Sequence, residues 1–308
     1  MKKILSVMLA IAVLLTAALS LASCNEKTDY TVGICQLMVH DSLDAATNGF
    51  IDALTTALEE AGKTVSFYTQ VAGEADLCTT VINTFTAKKV DLIMANATPA
   101  LVAAATATAT IPVLGTSVTD YDSTFAGAVP ANVSGTSDAV PFDEQAKMMI
   151  ETLGLVAGDT VGVIYCTGES NSLIQYEAVK ALFEAEKIIV KAYTFSETTE
   201  LQALVTSAAD ECKAIYVPSD NTVAANDTIV GAICSGKNVP VYTSYGGNIC
   251  YASLAIDYYD LGAETGKMAA EVLLGTKNIS DLEVKTLVPT VIYNEELCAA
   301  LGITVSEN

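Results

Sequence analysis

The sequence predicts an α/β fold of two doubly wound, Rossmann-like lobes joined by a three-segment hinge. Three observations carry that reading. Short β-branched runs alternate with stretches of helical period along nearly all of the 308 residues, the alternation pauses near residue 140 and resumes, and elements are left over after the second series ends. Strands alternating with helices build parallel sheets with crossover helices, and two such series build two lobes.

In the first series, runs at 30–35, 64–68, 90–95 and 111–115 read as strands, and their lack of a polar face suits strands covered on both sides. Leu43, Thr47, Phe50, Leu54, Ala57 and Ala61 recur every three or four residues, and this helix closes at Gly62, where a C′ glycine belongs. The Ala/Thr-rich stretch 97–110 reads as a helix packed closely on the sheet. PANVSGTSDAVP at 130–141 is rich in Pro, Gly, Ser and Thr and reads as a joint between lobes. The second series has strands at 160–166, 188–195, 213–218 and 239–243, with helices at 171–185, 197–210 and 222–235. A strand at 249–257, a helix at 258–274, a strand-like tail at 284–293 and a short helix at 295–301 follow. These surplus elements predict a return to the first lobe, with crossings near 134–141, 249–256 and 282–289. The expected division assigns 29–137 and 253–283 to an N-terminal lobe, and 138–252 and 284–308 to a C-terminal lobe. Several crossings make a hinge, and two lobes on a hinge make a closing cleft.

Composition removes several function classes. With 51% hydrophobic residues the chain has ample material for cores and is not disordered. Its 15 basic residues are all lysine, against 36 acidic residues and a net charge of −21, so nucleic acid is not an expected partner. The single histidine excludes a His-rich metal site. Lys2 and Lys3, an apolar run at 4–19 and LASC ending at Cys24 read as a signal peptide over 1–23, followed by a tether at 24–28. The LASC motif resembles a bacterial lipobox, which implies cleavage before Cys24, lipid on its sulfur, and a protein held at the extracytoplasmic face of the cell membrane. Cys35, Cys78, Cys166, Cys212, Cys234, Cys250 and Cys298 are scattered, odd in number and without a CxxC pair, and read as buried free thiols.

In open α/β sheets ligands bind beyond the carboxyl ends of the strands. The residues there are small and polar: Gln36 and His40 after the first run, Thr98 within Asn96 to Pro99, Thr116 and Ser117 with Thr119 and Asp120, and Asp138 at the first crossing. In the second half they are Ser170, Asn171 and Ser172 within TGESNS, then Ser219, Asp220, Asn221 and Thr222, and finally Tyr245 and Asp257. Asn, Ser, Thr and Asp also cap helices well, so a satisfied helix terminus is the competing reading for any one of those. His40 has no G-x-S-x-G elbow to serve, and P-loop and G-x-G-x-x-G motifs are lacking too, so no catalytic residue and no cofactor are expected.

The segments GICQLMVHDSLDAATNGFIDAL at 33–54, GVIYCTGESNS at 162–172, YVPSDNTV at 216–223 and IDYYDLGAETGKMAAEVLLG at 256–275, with ATP at 97–99, carry a family likeness. Together they resemble the substrate-binding lipoproteins of a bacterial ABC-importer family, some of which serve uptake of tryptophan, tyrosine or related aromatic amino acids. The resemblance spans the whole mature chain. It implies a type I periplasmic-binding-protein-like fold, a small ligand between two lobes, and an ABC permease with its ATPase as partners. Such a ligand needs complements for its carboxylate, its ammonium and its ring. Without arginine, the carboxylate falls to helix N-termini and hydroxyls, with Thr98, Ser117 and 170–172 in place for it. Asp220 is the first choice for the ammonium, with Asn171, Asn221 and Asp257 beside it, and the ring has Tyr245, Tyr258, Tyr165 or His40 to lie against. A ligand-sensing lipoprotein that signals to a receptor, and an importer for a nucleoside, sugar or branched amino acid, are the alternatives the sequence leaves open.

Overall fold

The computed structural model describes residues 28–305, so the expected leader, Cys24 and all of the tether but Thr28 lie outside the described residues. The first sheet is built from β1 (Tyr30–Gln36), β2 (Val65–Val71), β3 (Leu92–Asn96), β4 (Val113–Val118) and β5 (Val133–Ser137). Between them run α1 (Asp41–Glu60), α2 (Ala75–Lys88), α3 (Thr98–Ala107) and the single turn α4 (Tyr121–Thr124). The second sheet uses β6 (Thr160–Cys166), β7 (Ile189–Phe195), β8 (Ala214–Val217), β9 (Val241–Thr243) and β10 (Ala252–Ala255). Its helices are α5 (Phe142–Leu153), α6 (Ser170–Ala185), α7 (Thr198–Glu211), α8 (Asn221–Ala224) and α9 (Asp227–Gly236). After β10 come α10 (Tyr258–Leu273), β11 (Lys285–Thr286), β12 (Thr290–Tyr293) and α11 (Glu295–Leu301).

The two sheets have matching strand orders, β11-β5-β4-β3-β1-β2 and β12-β10-β9-β8-β6-β7. All pairings are parallel except β10 with β12. Parallel central strands need cover on both faces. In the first lobe Val32, Ile34, Leu92, Met94 and Leu114 pack under Phe50 and Leu54 of α1 and Met268 and Ala269 of α10. The opposite face, with Ile93, Ala95 and Val113, packs on Ile82 and Phe85 of α2 and Leu101 of α3. The second lobe repeats the plan, with Val179 and Phe183 of α6 on one face and Leu201 and Val205 of α7 with Val230 of α9 on the other. All seven cysteines of the described residues are free and buried.

Where α10 crosses α1 the backbones nearly touch. A Cβ built on Gly262 would lie 1.9 Å from the Ala46 carbonyl oxygen, and one on Gly49 would lie 2.0 Å from that of Tyr259. Only glycine permits this approach.

Several expectations change. The stretch 130–141 is not a mere joint, because it contains β5, whose Ser134, Thr136 and Ser137 are buried and hydrogen-bonded to Leu282, Thr265 and Thr119. β2 is half exposed because it forms a sheet edge, and so is β7. The helix expected at 222–235 breaks into α8 and α9 at Ala225 and Asn226. The tail at 284–293 is two strands in two sheets, β11 beside β5 and β12 beside β10. β10 pairs with β9 and β12, so the boundary expected at 253 falls after Ala255, and the one expected at 284 falls after Thr286. The chain therefore passes between sheets just after Ser137, after Ala255 and after Thr286.

Candidate functional site

The carboxyl ends of both sheets face one another, and between them lie a groove of about 610 Å³, a second of about 250 Å³ and a cavity of about 10 Å³, the last with room for about one water molecule. Its walls come from both lobes and from the connecting segments: His40, Leu43, Ser117 and Asp138 on one side, and Ser219, Asp220, Asn221, Ala224 and Tyr245 on the other, with Tyr258 at the rear.

Backbone irregularity aims Ser117 at this space. The β4–β5 register shifts between Gly115 and Val118, and Ser117 takes a left-handed φ of 55°. Non-glycine residues in that region mark strain held by the surrounding fold. The Ser117 hydroxyl is buried without a hydrogen-bond partner among the described residues, as are the Tyr245 hydroxyl and Oδ1 of Asp138. The other Asp138 oxygen accepts from the Tyr258 hydroxyl at 2.9 Å. Burial pushes the Asp138 carboxyl above its ordinary value, and the Tyr258 hydrogen bond offsets part of that. Buried polar atoms normally have partners, so three orphans around one cavity point to a ligand.

The C-terminal wall is held by two carboxylates. Asp220, fully buried, caps α8: Oδ1 accepts from the Val223 amide at 2.8 Å, and Oδ2 accepts from the Cys166 amide and the Ser172 hydroxyl, both at 2.8 Å. Burial, then the nearby Glu169 charge, pushes its carboxyl well up. Three donors of its own lobe thus already meet its oxygens, in the residue that the sequence sets against the ligand's ammonium. Glu169 went unnoticed inside TGESNS, yet it accepts from the Asn221 amide at 2.9 Å, the Thr222 amide at 2.8 Å, the Asn221 side-chain amide at 2.6 Å and the Thr222 hydroxyl at 2.7 Å.

Among the described residues two side-chain hydrogen bonds join the lobes. His40 Nε2 meets Asn221 Oδ1 at 3.2 Å, and since the Asn221 amide nitrogen donates to Glu169, that oxygen accepts and the ring nitrogen donates. Gln175, also missed in the sequence, donates from α6 to the Thr119 hydroxyl at 3.2 Å, while its own oxygen accepts from the Ser219 amide and the Ser244 hydroxyl.

Other expected residues lie elsewhere. Gln36 is buried and donates to the Met38 carbonyl and Asp44 inside the first lobe. Thr116 accepts from Thr136 beneath the sheet end. Thr98, an unpartnered buried hydroxyl, opens α3 but does not line the cavity. Asn171 donates to the Ser219 carbonyl, bracing the wall from behind. Ser172 is spent on Asp220, and Thr222 faces a neighbouring groove. Ser170 and Asp257 are exposed, Asp257 as the cap of α10 through the Asp260 amide at 3.0 Å. Tyr165 stacks on Tyr176 in the core, with ring centroids 5.1 Å apart.

Comparisons with known proteins follow this geometry. A family model described as "ABC transporter substrate binding protein" matches residues 31–308. The chain is 35% identical to a tyrosine-binding protein of Clostridioides difficile, over 91% of this chain and 84% of that one. It superposes with a TM-score of 0.79 on a Streptococcus pneumonia ABC domain in complex with L-Trp, at 30% identity over 89% of this chain and 96% of that one. The ligand-free, open structure of a Clostridium difficile substrate-binding protein with adhesive properties gives 0.65, at 32% identity over 91% and 97%. At nearly equal identity, the higher score falls on the liganded structure, in keeping with the interlobe hydrogen bonds and the small enclosed space. On these grounds the chain belongs to the ABC transporter substrate-binding proteins, with the two-lobed type I periplasmic-binding-protein fold.

Proposed function

We propose that this protein captures an aromatic amino acid outside the cytoplasm, held to the membrane by lipid on Cys24, and delivers it to an ABC permease driven by its ATPase. The observation that carries the reading is the cavity wall, where three buried unpartnered polar atoms sit beside Leu43, Ala224 and two tyrosines. A few placed polar groups in an apolar and aromatic setting is what a small-molecule site requires. The tyrosine-binding and L-Trp-bound relatives support the choice of ligand. The hydroxyls that meet the two cavity carboxylates, Ser172 on Asp220 and Tyr258 on Asp138, are buried structural partners, and His40 is turned to Asn221, which favours capture without transformation. With about 10 Å³ enclosed, the ligand enters as the lobes part. Calorimetric titration with tyrosine, tryptophan and phenylalanine tests the reading, and binding of at least one is expected. Binding of none, alongside binding of a sugar or nucleoside, overturns it.

A further inference from the structure

We propose that Asp138 is the ammonium-binding residue and that it holds the ligand's charge on the hinge itself, so that this site selects solutes with a free amino group over their deaminated counterparts. The inference rests on the amino-acid reading above and adds to it the residue, the charge and the place.

The argument starts from position. Asp138 is the first residue past β5, and its amide extends the ladder by donating to the Val118 carbonyl at 3.2 Å. Its side chain is 7% exposed. Tyr258, the first residue of α10, lies 120 positions later, just past the second crossing, and its hydroxyl fixes one carboxylate oxygen of Asp138. Two of the three connecting segments thus share one hydrogen bond, and Oδ1 is left over, buried, on a residue that lines the cavity.

A buried carboxylate oxygen without a partner is unfavourable unless a cation or donor reaches it. Among the described residues no lysine lines the cavity, and His40, the one basic group there, donates to Asn221. Asp220, the other carboxylate in the wall, has three donors of its own. The missing partner therefore comes from outside, and a primary ammonium, which donates up to three hydrogen bonds, suits Oδ1 with the Tyr245 and Ser117 hydroxyls as further acceptors. A carboxylate ligand group placed there meets like charge instead.

The experiment is a two-by-two titration by calorimetry: wild type and Asp138→Asn, each with L-tyrosine and L-tryptophan and with 3-(4-hydroxyphenyl)propionate and indole-3-propionate. Wild type is expected to prefer the amino acid at least 100-fold. Asp138→Asn is expected to weaken the amino acid about 10- to 100-fold, as a charge-assisted hydrogen bond is lost, and to leave the deaminated acid within about threefold, so that the preference collapses. Tyr258→Phe, which frees the other oxygen without removing the charge, is expected to lose less than Asp138→Asn. If Asp138→Asn does not fold, the wild-type preference and Tyr258→Phe decide. An amino acid bound equally well by Asp138→Asn, or a deaminated acid bound as well as its amino acid by wild type, overturns this inference and leaves the capture role standing. No binding of any amino acid to wild type overturns both.

Discussion

Glu169 and Asp220 together close the N-terminal end of α8, and removing either leaves buried donors without acceptors. An unsatisfied buried donor costs about 1–3 kcal/mol. Glu169→Ala is therefore expected to destabilise the protein by about 3 kcal/mol or more, lowering the thermal midpoint by roughly 6–12 °C for a chain of this size. Asp220→Ala is expected to behave likewise, although the sequence makes Asp220 the first choice for the ligand's ammonium. Differential scanning calorimetry of the two variants checks both, and an unchanged midpoint for Asp220→Ala would return Asp220 to the ligand. From sequence the two roles of Asp220 are indistinguishable, since a strand-end acid before a helix serves equally as cap and as charge partner. The difference lies in Cys166 and Ser172, 54 and 48 positions away, which only the folded chain brings to its oxygens.

Among the elements, the contact of α1 with α10 is set by glycines, and Gly262→Ala is expected to force the helices apart or shift the register of their crossing. Overpacking of this kind costs about 1–3 kcal/mol, and urea unfolding followed by circular dichroism would show it as a lower midpoint. An unchanged midpoint would mean that the helices yield without loss. Elements whose interior faces are aliphatic were legible in the sequence: β1, β3, β6 and α1 lie within a few residues of their expected bounds. β5 was not, because one of its two buried faces is Ser134 and Thr136, whose burial depends on hydrogen-bond partners 148 and 129 residues away. Likewise the cleft was legible as a set of strand ends, while the sorting of its polar residues into ligand-facing and structural was not. Asp138 stands out only once Tyr258 is seen to occupy one oxygen and nothing the other.

For the molecule as a whole, two hydrogen bonds span the lobes among the described residues, and one of them titrates. Burial lowers the pKa of His40 below its ordinary 6.5, with the Asn221 bond and the charges of Glu169, Asp44 and Asp41 offsetting part of it. Opening exposes the ring and returns it toward 6.5, so the open form binds more protons. Closure is favoured fully above that pH and loses support as pH falls through it. Asp138, raised by burial, acts in the opposite sense at lower pH. The test is therefore the difference between wild type and His40→Gln in radius of gyration by X-ray scattering. Wild type is expected to expand more over a window of ~2 pH units, from pH 7.5 to 5.5, and identical profiles would exclude His40 as the cause. Removing the bond altogether with His40→Ala is expected to raise the ligand Kd about two- to tenfold, the worth of one neutral hydrogen bond. The passage of the chain between sheets also governs how it can be made. Until residues 258–286 exist, the face of the first sheet carrying Val32, Ile34, Met94 and Leu114 lacks α10, and β5 lacks β11. An emerging polypeptide thus carries a half-built first core for most of its synthesis, which delays native folding until its last segments are available.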